Sequence, residues 1–537
     1  MGIYLNPGNE GFRRIIKSNY VDKTGLIALL NPLIGTSRNL TCVSRPRRFG
    51  KSYAAQMLCA YYDKSCNSAA LFDSYAIADD PTYKFHLNQY HVINLDISGF
   101  VSSAKARGIS LKDVPVMITD ALTADVVSLY PDLECYSSIN ECLLALVKQT
   151  GTKIIFIIDE WDAMIRETQQ DPEAQDRYFN LLRGWFKNNN FTPAAIASAY
   201  MTGILPIKKD GSQSAISDFQ EYTMIKPRKF GEYVGFTEAE VRNLCETNKV
   251  SFETMKQWYD GYTFKDVGSV YNPNSVMIAI ENDDFDSFWT ETSASEGLMR
   301  YISQDYNGLT KTIAELIGGV DVKVDTKGFA NDLTTFRNKD DVLTLLIHLG
   351  YLAYNSESQT VTIPNEEIRL EFQKSIRDVN HAETLKRLAE SDQLFLDTIH
   401  ENEEAVGAQI EKIHEEETAP LHYNKEDSLR SVIKLAYYTY RDHYLQWEEL
   451  PAGSGYADVV YLPKRDSDWP ILVIELKWNL SADGAIDQIL RQNYPDAFRY
   501  YGCEILLVGI NYDKDAPAGK RKHTCKIIRV DKQNAEI

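Results

Sequence analysis

The 537-residue sequence predicts an α/β protein of several domains: a parallel sheet with helices on both faces, a central helical and winged-helix-like module, and a second, smaller α/β domain. Three observations predict it. A short apolar strand runs into Gly-Lys-Ser and an amphipathic helix; further apolar strands alternate with helical patterns to about residue 210; and a last strand-rich segment follows an acidic run ending near Pro420.

Residues 39–44, "NLTCVS", read as a buried strand and 44–51 as a loop. The helix after it shows apolar spacing at Tyr53, Met57 and Tyr61. "YHVINLDIS" (90–98) is a second strand, followed by helical patterns over about 110–130 and 138–150. "TKIIFIIDEWD" (152–162) is a continuous apolar strand ending in acids, "RYFNLLRGWFKNN" an amphipathic helix, and "AAIASAYMTGI" (194–204) another buried strand. Such uninterrupted apolar strands belong to a sheet covered on both faces. Residues 1–210 therefore form one domain and 211–380 the central module. In the module Thr237 and Glu240 form a capping box, and 340–365 read as a helix and a two-strand wing. Residues 381–420 are an acidic helical linker. In 421–537 the pattern gives a helix at 424–443, strands near 444–449, 456–462 and 471–477, a helix at 483–493 and a strand at 503–510.

"SRPRRFGKS" has the end of a phosphate-binding loop but not its first Gly, whose place falls to Ser44 or Arg45. That loss is tolerable if the backbone there stays ordinary. Strand, Gly-Lys-Ser, helix is the setting of a P-loop NTPase. Arg47, Arg48, Phe49 and Gly50 would surround the phosphates, Lys51 would reach the β- and γ-phosphates of ATP, and Ser52 would ligate Mg²⁺. Asp159 would hold the same ion, Glu160 would polarise the attacking water, and Thr202 would sense the γ-phosphate. No arginine finger is assigned. Arg45, Arg47 and Arg48 would serve the nucleotide, a neighbouring copy in a homo-oligomer, or a nucleic acid.

A second set lies near the C-terminus. Asp458 sits in "GSGYADVVYL", and "ILVIELKW" puts Glu475 and Lys477 on one face of a strand. Asp458 and Glu475 would supply oxygen ligands to Mg²⁺ or Mn²⁺, and Lys477 would orient or deprotonate water. Gln488 on the next helix would anchor the site, with Tyr494 further along. Glu449 is a further metal-ligand candidate and Glu426 lies on the first helix of this domain. The set predicts a metal-dependent nuclease, a restriction-endonuclease-like α/β domain.

The net charge of −19 argues against a broad nucleic-acid coat but leaves local basic patches open, such as "GKRKH" (519–523) with Arg529. Eight cysteines without a C-x-x-C pair read as free thiols of a reducing cytoplasm. The N-terminus carries neither signal-peptide nor myristoylation features, and no apolar run is long enough to span a membrane.

Taken in order, "YVDKTGLI", "SRPRRFGKSY", "FIIDEWD", "YMTGI", "WYDGYTF" and "VYNPNSV" resemble the bacterial AAA-ATPase-like family. Its members often end in a PD-(D/E)XK nuclease domain, which "GSGYAD", "VIELKW" and "AIDQILRQNYPDAF" resemble. In that family the phosphate loop typically reads R-P-R-R-F-G-K-[ST], so the missing Gly is expected. The resemblance implies ATPase roles for Lys51, Ser52, Asp159 and Glu160 and nuclease roles for Asp458, Glu475, Lys477 and Gln488. The leading expectation is an ATP-regulated nuclease acting on DNA or RNA, a pairing that fits defence against foreign nucleic acid. The alternatives are a nucleotide switch with a non-cleaving C-terminal domain and an ATP-driven assembly scaffold.

Overall fold

The structure, a computed structural model, describes residues 1–133, 138–207, 216, 218–289, 309–317, 319–329, 336–377, 382–417, 433, 436–437, 444–452, 455–463, 469–492, 498, 504–516 and 522–530. The chain divides into two compact units: Met1–Asn307 with Lys323–Glu371, and Gly308–Val322 with Phe372–Ile537.

In the first unit five parallel strands make the central sheet: β1 (Leu40–Ser44), β2 (His91–Asp96), β3 (Ile154–Asp159), β4 (Ile196–Gly203) and β5 (Gln220–Tyr222), in the order β2-β3-β4-β1-β5. Every residue of β1, β3 and β4 is buried, as the apolar runs require. Ile154, Phe156 and Ile158 join one core with the helices Ile97–Ala106, Val114–Leu129, Ile139–Thr150 and Pro172–Phe186. The alternate residues of β3 face the other side, where the helix Lys51–Tyr62 packs on β3 and β4. The register pairs Asp96 with Asp159 and Ser44 with Gly203, so the ends of four strands meet along one edge. Ligands of open α/β sheets bind at that edge. The short β5 had no counterpart in the sequence reading, which ended the strand pattern near 210.

Apart from Gly308–Val322, the module beyond this sheet belongs to the same unit up to Glu371. Its helix Glu238–Asn248 carries the Thr237–Glu240 capping box, and its helix Lys339–Leu349 leads into the antiparallel pair Ala353–Asn355 and Thr360–Thr362.

The second unit holds a mixed five-stranded sheet: Tyr444–Ala452, Gly455–Pro463, Ile471–Trp478, Ile505–Tyr512 and His523–Val530, in chain order. Only the central pair, Ile471–Trp478 with Ile505–Tyr512, is parallel. The helices Ala382–Ile399 and Glu403–Glu417, in the segment read as a linker, place Leu394, Phe395, Val406 and Ile410 in the core under one face of this sheet. Helix Ala482–Arg491 covers the other face through Ile486 and Ile489. The helix expected at 424–443 falls almost wholly outside the described residues, and the strand His523–Val530 was not anticipated. Among the described residues no helix is long and apolar enough to cross a membrane.

Candidate nucleotide site and a second carboxylate site

The loop after β1 turns on Gly50, whose φ of +86° is a left-handed conformation that side chains resist. Ser44 and Arg45 keep φ values ordinary for side-chain-bearing residues, so the missing first Gly costs the loop nothing there. Gly50 caps the 12-residue helix Lys51–Tyr62 without any side-chain hydrogen bond. The first N–H groups of that helix are thus left for another acceptor, at its positive end.

Lys51 is 4% exposed; its Nζ donates to the Pro46 carbonyl at 2.8 Å and lies 3.6 Å from Glu160 Oε1. Burial pulls its pKa down, while Glu160 and Asp159 pull it up. Asp159, at the end of β3, is pushed up to about 6 by burial, against a hydrogen bond from the Ser52 side chain. A buried carboxylate so unfavourably solvated, beside a hydroxyl, is a donor set that suits a hard cation. Glu160 follows with φ +50° and pairs with Arg166 as well as Lys51.

Gly50, Lys51, Ser52 and Glu160 open onto a cavity of about 710 Å³ within the first unit, and Asp159 is not among its lining residues. Arg47, Arg48, Phe49, Gly50, Lys51, Ser52, Glu160 and Arg166 line one part of it. Tyr20, Val21, Met57, Tyr233, Phe236 and Met277 give another part an aromatic and apolar lining. Lys23 lines it too, and its Nζ reaches Glu240 at 2.6 Å and the Glu232 carbonyl at 2.7 Å, tying the N-terminal segment to the capping box. Thr202 is wholly buried, is not among the lining residues, and its Oγ1 has no hydrogen-bond partner among the described residues.

Arg45 and Arg48 of the loop reach the module. Arg45 is wholly buried: Nη1 donates to the carbonyls of Ser44 (2.8 Å) and Tyr222 (3.1 Å), and Cζ lies 5.2 Å from the centre of the Phe264 ring. Burial lowers its pKa to about 10. Arg48, itself at φ +65°, donates to the Phe288 carbonyl at 3.3 Å. Phe49 packs edge-on against Tyr262 at 5.5 Å. Gly350, at φ +86°, leaves room for Pro46, which a Cβ there would meet at 2.7 Å.

In the second unit, Asp458, Glu475, Lys477 and Gln488 come together. The Leu476 N–H donates to Asp458 Oδ2 at 2.8 Å. Lys477 Nζ sits 3.0 Å from Glu475 Oε1 and donates to Gln488 Oε1 at 2.5 Å, while Gln488 Nε2 donates to the same Glu475 oxygen. Glu475 is 2% exposed, and its Oε2 has no partner among the described residues. Burial, then Asp458, pushes its pKa up to about 7. The orphaned oxygen beside Asp458 fits a divalent cation. Among the described residues no cluster of three or more His, Cys, Asp or Glu could hold a metal, so among them the carboxylates at this site are Asp458 and Glu475. Glu449 lies on a described strand whose pairs Glu448↔Val459 and Leu450↔Ala457 bracket Asp458; its side chain lies outside the described residues. Glu426, Tyr494 and residues 519–521 also lie outside them. Arg529 is taken up by Glu401 (2.7 Å) and Glu504 (2.6 Å), and His523 is buried against His414 at 2.8 Å, so neither presents a free basic patch.

Sequence reasoning missed Asp162, Arg166 and the Lys23–Glu240 pair. Asp162 and Arg166 do stand four apart at the start of a helix, a legible signal.

Residues 7–212 match the AAA-ATPase-like family, described as predicted AAA-ATPase. A protein of the vnfD 5′ region of Azotobacter chroococcum is 23% identical over 310 residues, which cover 56% of this chain and 56% of that protein; the match thus spans about half the relative's length. Among solved structures, Aeropyrum pernix ORC2 in ADPNP–ADP complexes is 13% identical, covering 68% of this chain and 98% of its own, with a TM-score of 0.28. Aeropyrum pernix ORC1 in complex with DNA is 12% identical over 72% of this chain and all of its own, with a TM-score of 0.25. Cdc6p of Pyrobaculum aerophilum is 12% identical over 66% of this chain and 93% of its own, with a TM-score of 0.20.

Proposed function

We propose that the chain is a P-loop ATPase whose nucleotide state regulates a metal-dependent phosphodiesterase in its second unit, with DNA or RNA as substrate. The observation that carries the first half is that Gly50, Lys51, Ser52 and Glu160 line one cavity, with the buried Asp159 hydrogen-bonded to Ser52. The open helix N-terminus and Lys51 would take the phosphates, and the aromatic and apolar part of the cavity the base. Ser52 and Asp159 would hold Mg²⁺, which supplies charge neutralisation at the phosphates. Lys51 must leave Glu160 to reach the phosphates, and this frees Glu160 Oε1 to accept from water.

In the second unit Asp458 and Glu475 would hold Mg²⁺ or Mn²⁺, with Lys477, anchored by Gln488, directing water. The two-carboxylate donor set also supports a second reading, a nucleotide switch whose second unit binds without cutting. Calorimetry with Mn²⁺ alone and nucleotide-binding titrations separate them. The expected results are ATP binding lost in Lys51→Ala and Mn²⁺ binding lost in Glu475→Ala. Unchanged ATP binding in Lys51→Ala overturns the nucleotide site; no Mn²⁺ binding by the wild type leaves the switch.

A further inference from the structure

Arg166 lies on the short helix Ala163–Glu167 directly after the β3 acids. Its guanidinium is fixed at one edge: Nε is 3.1 Å from Asp162 Oδ2. Asp162 is wholly buried and cannot turn, because it accepts from the N–H groups of Ile204 (3.3 Å) and Leu205 (3.0 Å) just beyond β4. The side chain needs the space that Gly203 leaves, since a Cβ there would stand 2.5 Å from Asp162 Oδ1. The other edge of the fork, Nη2, holds Glu160 Oε2. Glu160 Oε1 points the other way, 3.6 Å from Lys51 Nζ. Arg166 itself borders the cavity with its side chain 15% exposed.

The main chain at Glu160 is in the left-handed region at φ +50°, a conformation a Glu adopts only at an energetic cost. An energetically uphill backbone that ends in a clamped side chain is a geometry the surroundings impose. The chain of support runs from β4 through Asp162 and Arg166 to one carboxylate oxygen of Glu160.

We propose that Arg166 is a positioning residue for ATP hydrolysis: it holds Glu160 by Oε2 so that Oε1 faces the phosphate site once Lys51 has moved to the nucleotide. This rests on the reading of the first unit as an ATPase. A guanidinium held at its other edge by Asp162 fixes the point from which it grips Glu160 Oε2, which a flexible ammonium does not.

The test is a cycle of Arg166→Ala, Glu160→Gln and the double variant, with Arg166→Lys alongside. ATP turnover and the affinity for a fluorescent ATP analogue are measured on the full chain. The expected result for Arg166→Ala is an unchanged affinity and a kcat lower by on the order of 10²-fold, the cost of a displaced catalytic group. Arg166→Lys restores only part of kcat. In the Glu160→Gln background, removing Arg166 lowers kcat no further. Multiplying effects, or lost nucleotide affinity in both Arg166 variants, would overturn the proposal and leave the ATPase reading standing. A wild type that binds ATP and does not hydrolyse it overturns both.

Discussion

Replacing Asp159 with Asn should stabilise the nucleotide-free protein at neutral pH while removing a residue the proposed hydrolysis needs. Asp159 is 8% exposed, and burial raises its carboxyl from 3.8 to about 6 in the folded chain. Between those values the folded state holds a proton that the unfolded state has released. Stability therefore falls as pH rises through this window, and the loss is complete above pH 6. A shift of about two pH units corresponds to about 3 kcal/mol at pH 7.5 and to about half that at pH 5. An Asn cannot ionise and escapes the loss. The assay is urea denaturation without nucleotide at the two pH values, followed by tryptophan fluorescence; Trp161 and Trp185 lie in the core of this unit. The Asn variant is expected to lead by about 3 kcal/mol at pH 7.5 and by less at pH 5, and to gain no thermal shift from MgATP. Equal stability at both pH values, or a gap that does not change with pH, would refute the reasoning.

Three further outcomes follow from the same geometry. Phe49→Ala removes a wholly buried ring from Tyr262 and should cost roughly 3–5 kcal/mol, with weaker ATP binding because Gly50 is the next residue; thermal unfolding with and without ATP reads both. Glu475→Gln should abolish Mn²⁺ binding in the second unit, and wild-type Mn²⁺ affinity should climb up to and past pH 7, because the carboxyl must lose its proton first. His523, lowered to about 3 by burial and by His414, is neutral when folded and takes up a proton more readily when unfolded. Stability of the second unit should therefore drop as pH falls below about 6.5, and His523→Gln should flatten that slope in acid denaturation followed by circular dichroism.

Much of both candidate sites was legible because it is local. Gly-Lys-Ser between a strand and a helix, Asp159-Glu160 at an apolar strand end, the Thr237–Glu240 box and the Glu475-x-Lys477 pair are spacing signals, and all appear in place. The features that escaped depend on distant chain. Lys23 meets Glu240 across 217 residues, and Asp162 is pinned by N–H groups beyond β4. The three-residue β5 is too short to carry a period. His523–Val530 buries His523 and Ile527 but alternates poorly between them, so it lacks the strand signature. The acidic composition of 381–420 masked the apolar face made by Leu394, Val406 and Ile410. The arginines were conspicuous in the sequence, yet only the fold shows Arg45 and Arg48 turned toward Phe264 and Phe288 of the module.

Under the proposed function, the nucleotide in the first unit controls phosphodiester cleavage in the second. The most direct measurement of that control is cleavage of single- and double-stranded DNA and RNA by the full chain with Mg²⁺ or Mn²⁺. The reactions run without nucleotide, with ADP, with ATP and with a non-hydrolysable analogue. The account predicts cleavage whose rate depends on the nucleotide, loses that dependence in Lys51→Ala, and disappears in Glu475→Ala and Lys477→Ala. Cleavage of no substrate in any nucleotide state, or cleavage that Glu475→Ala leaves intact, would contradict it.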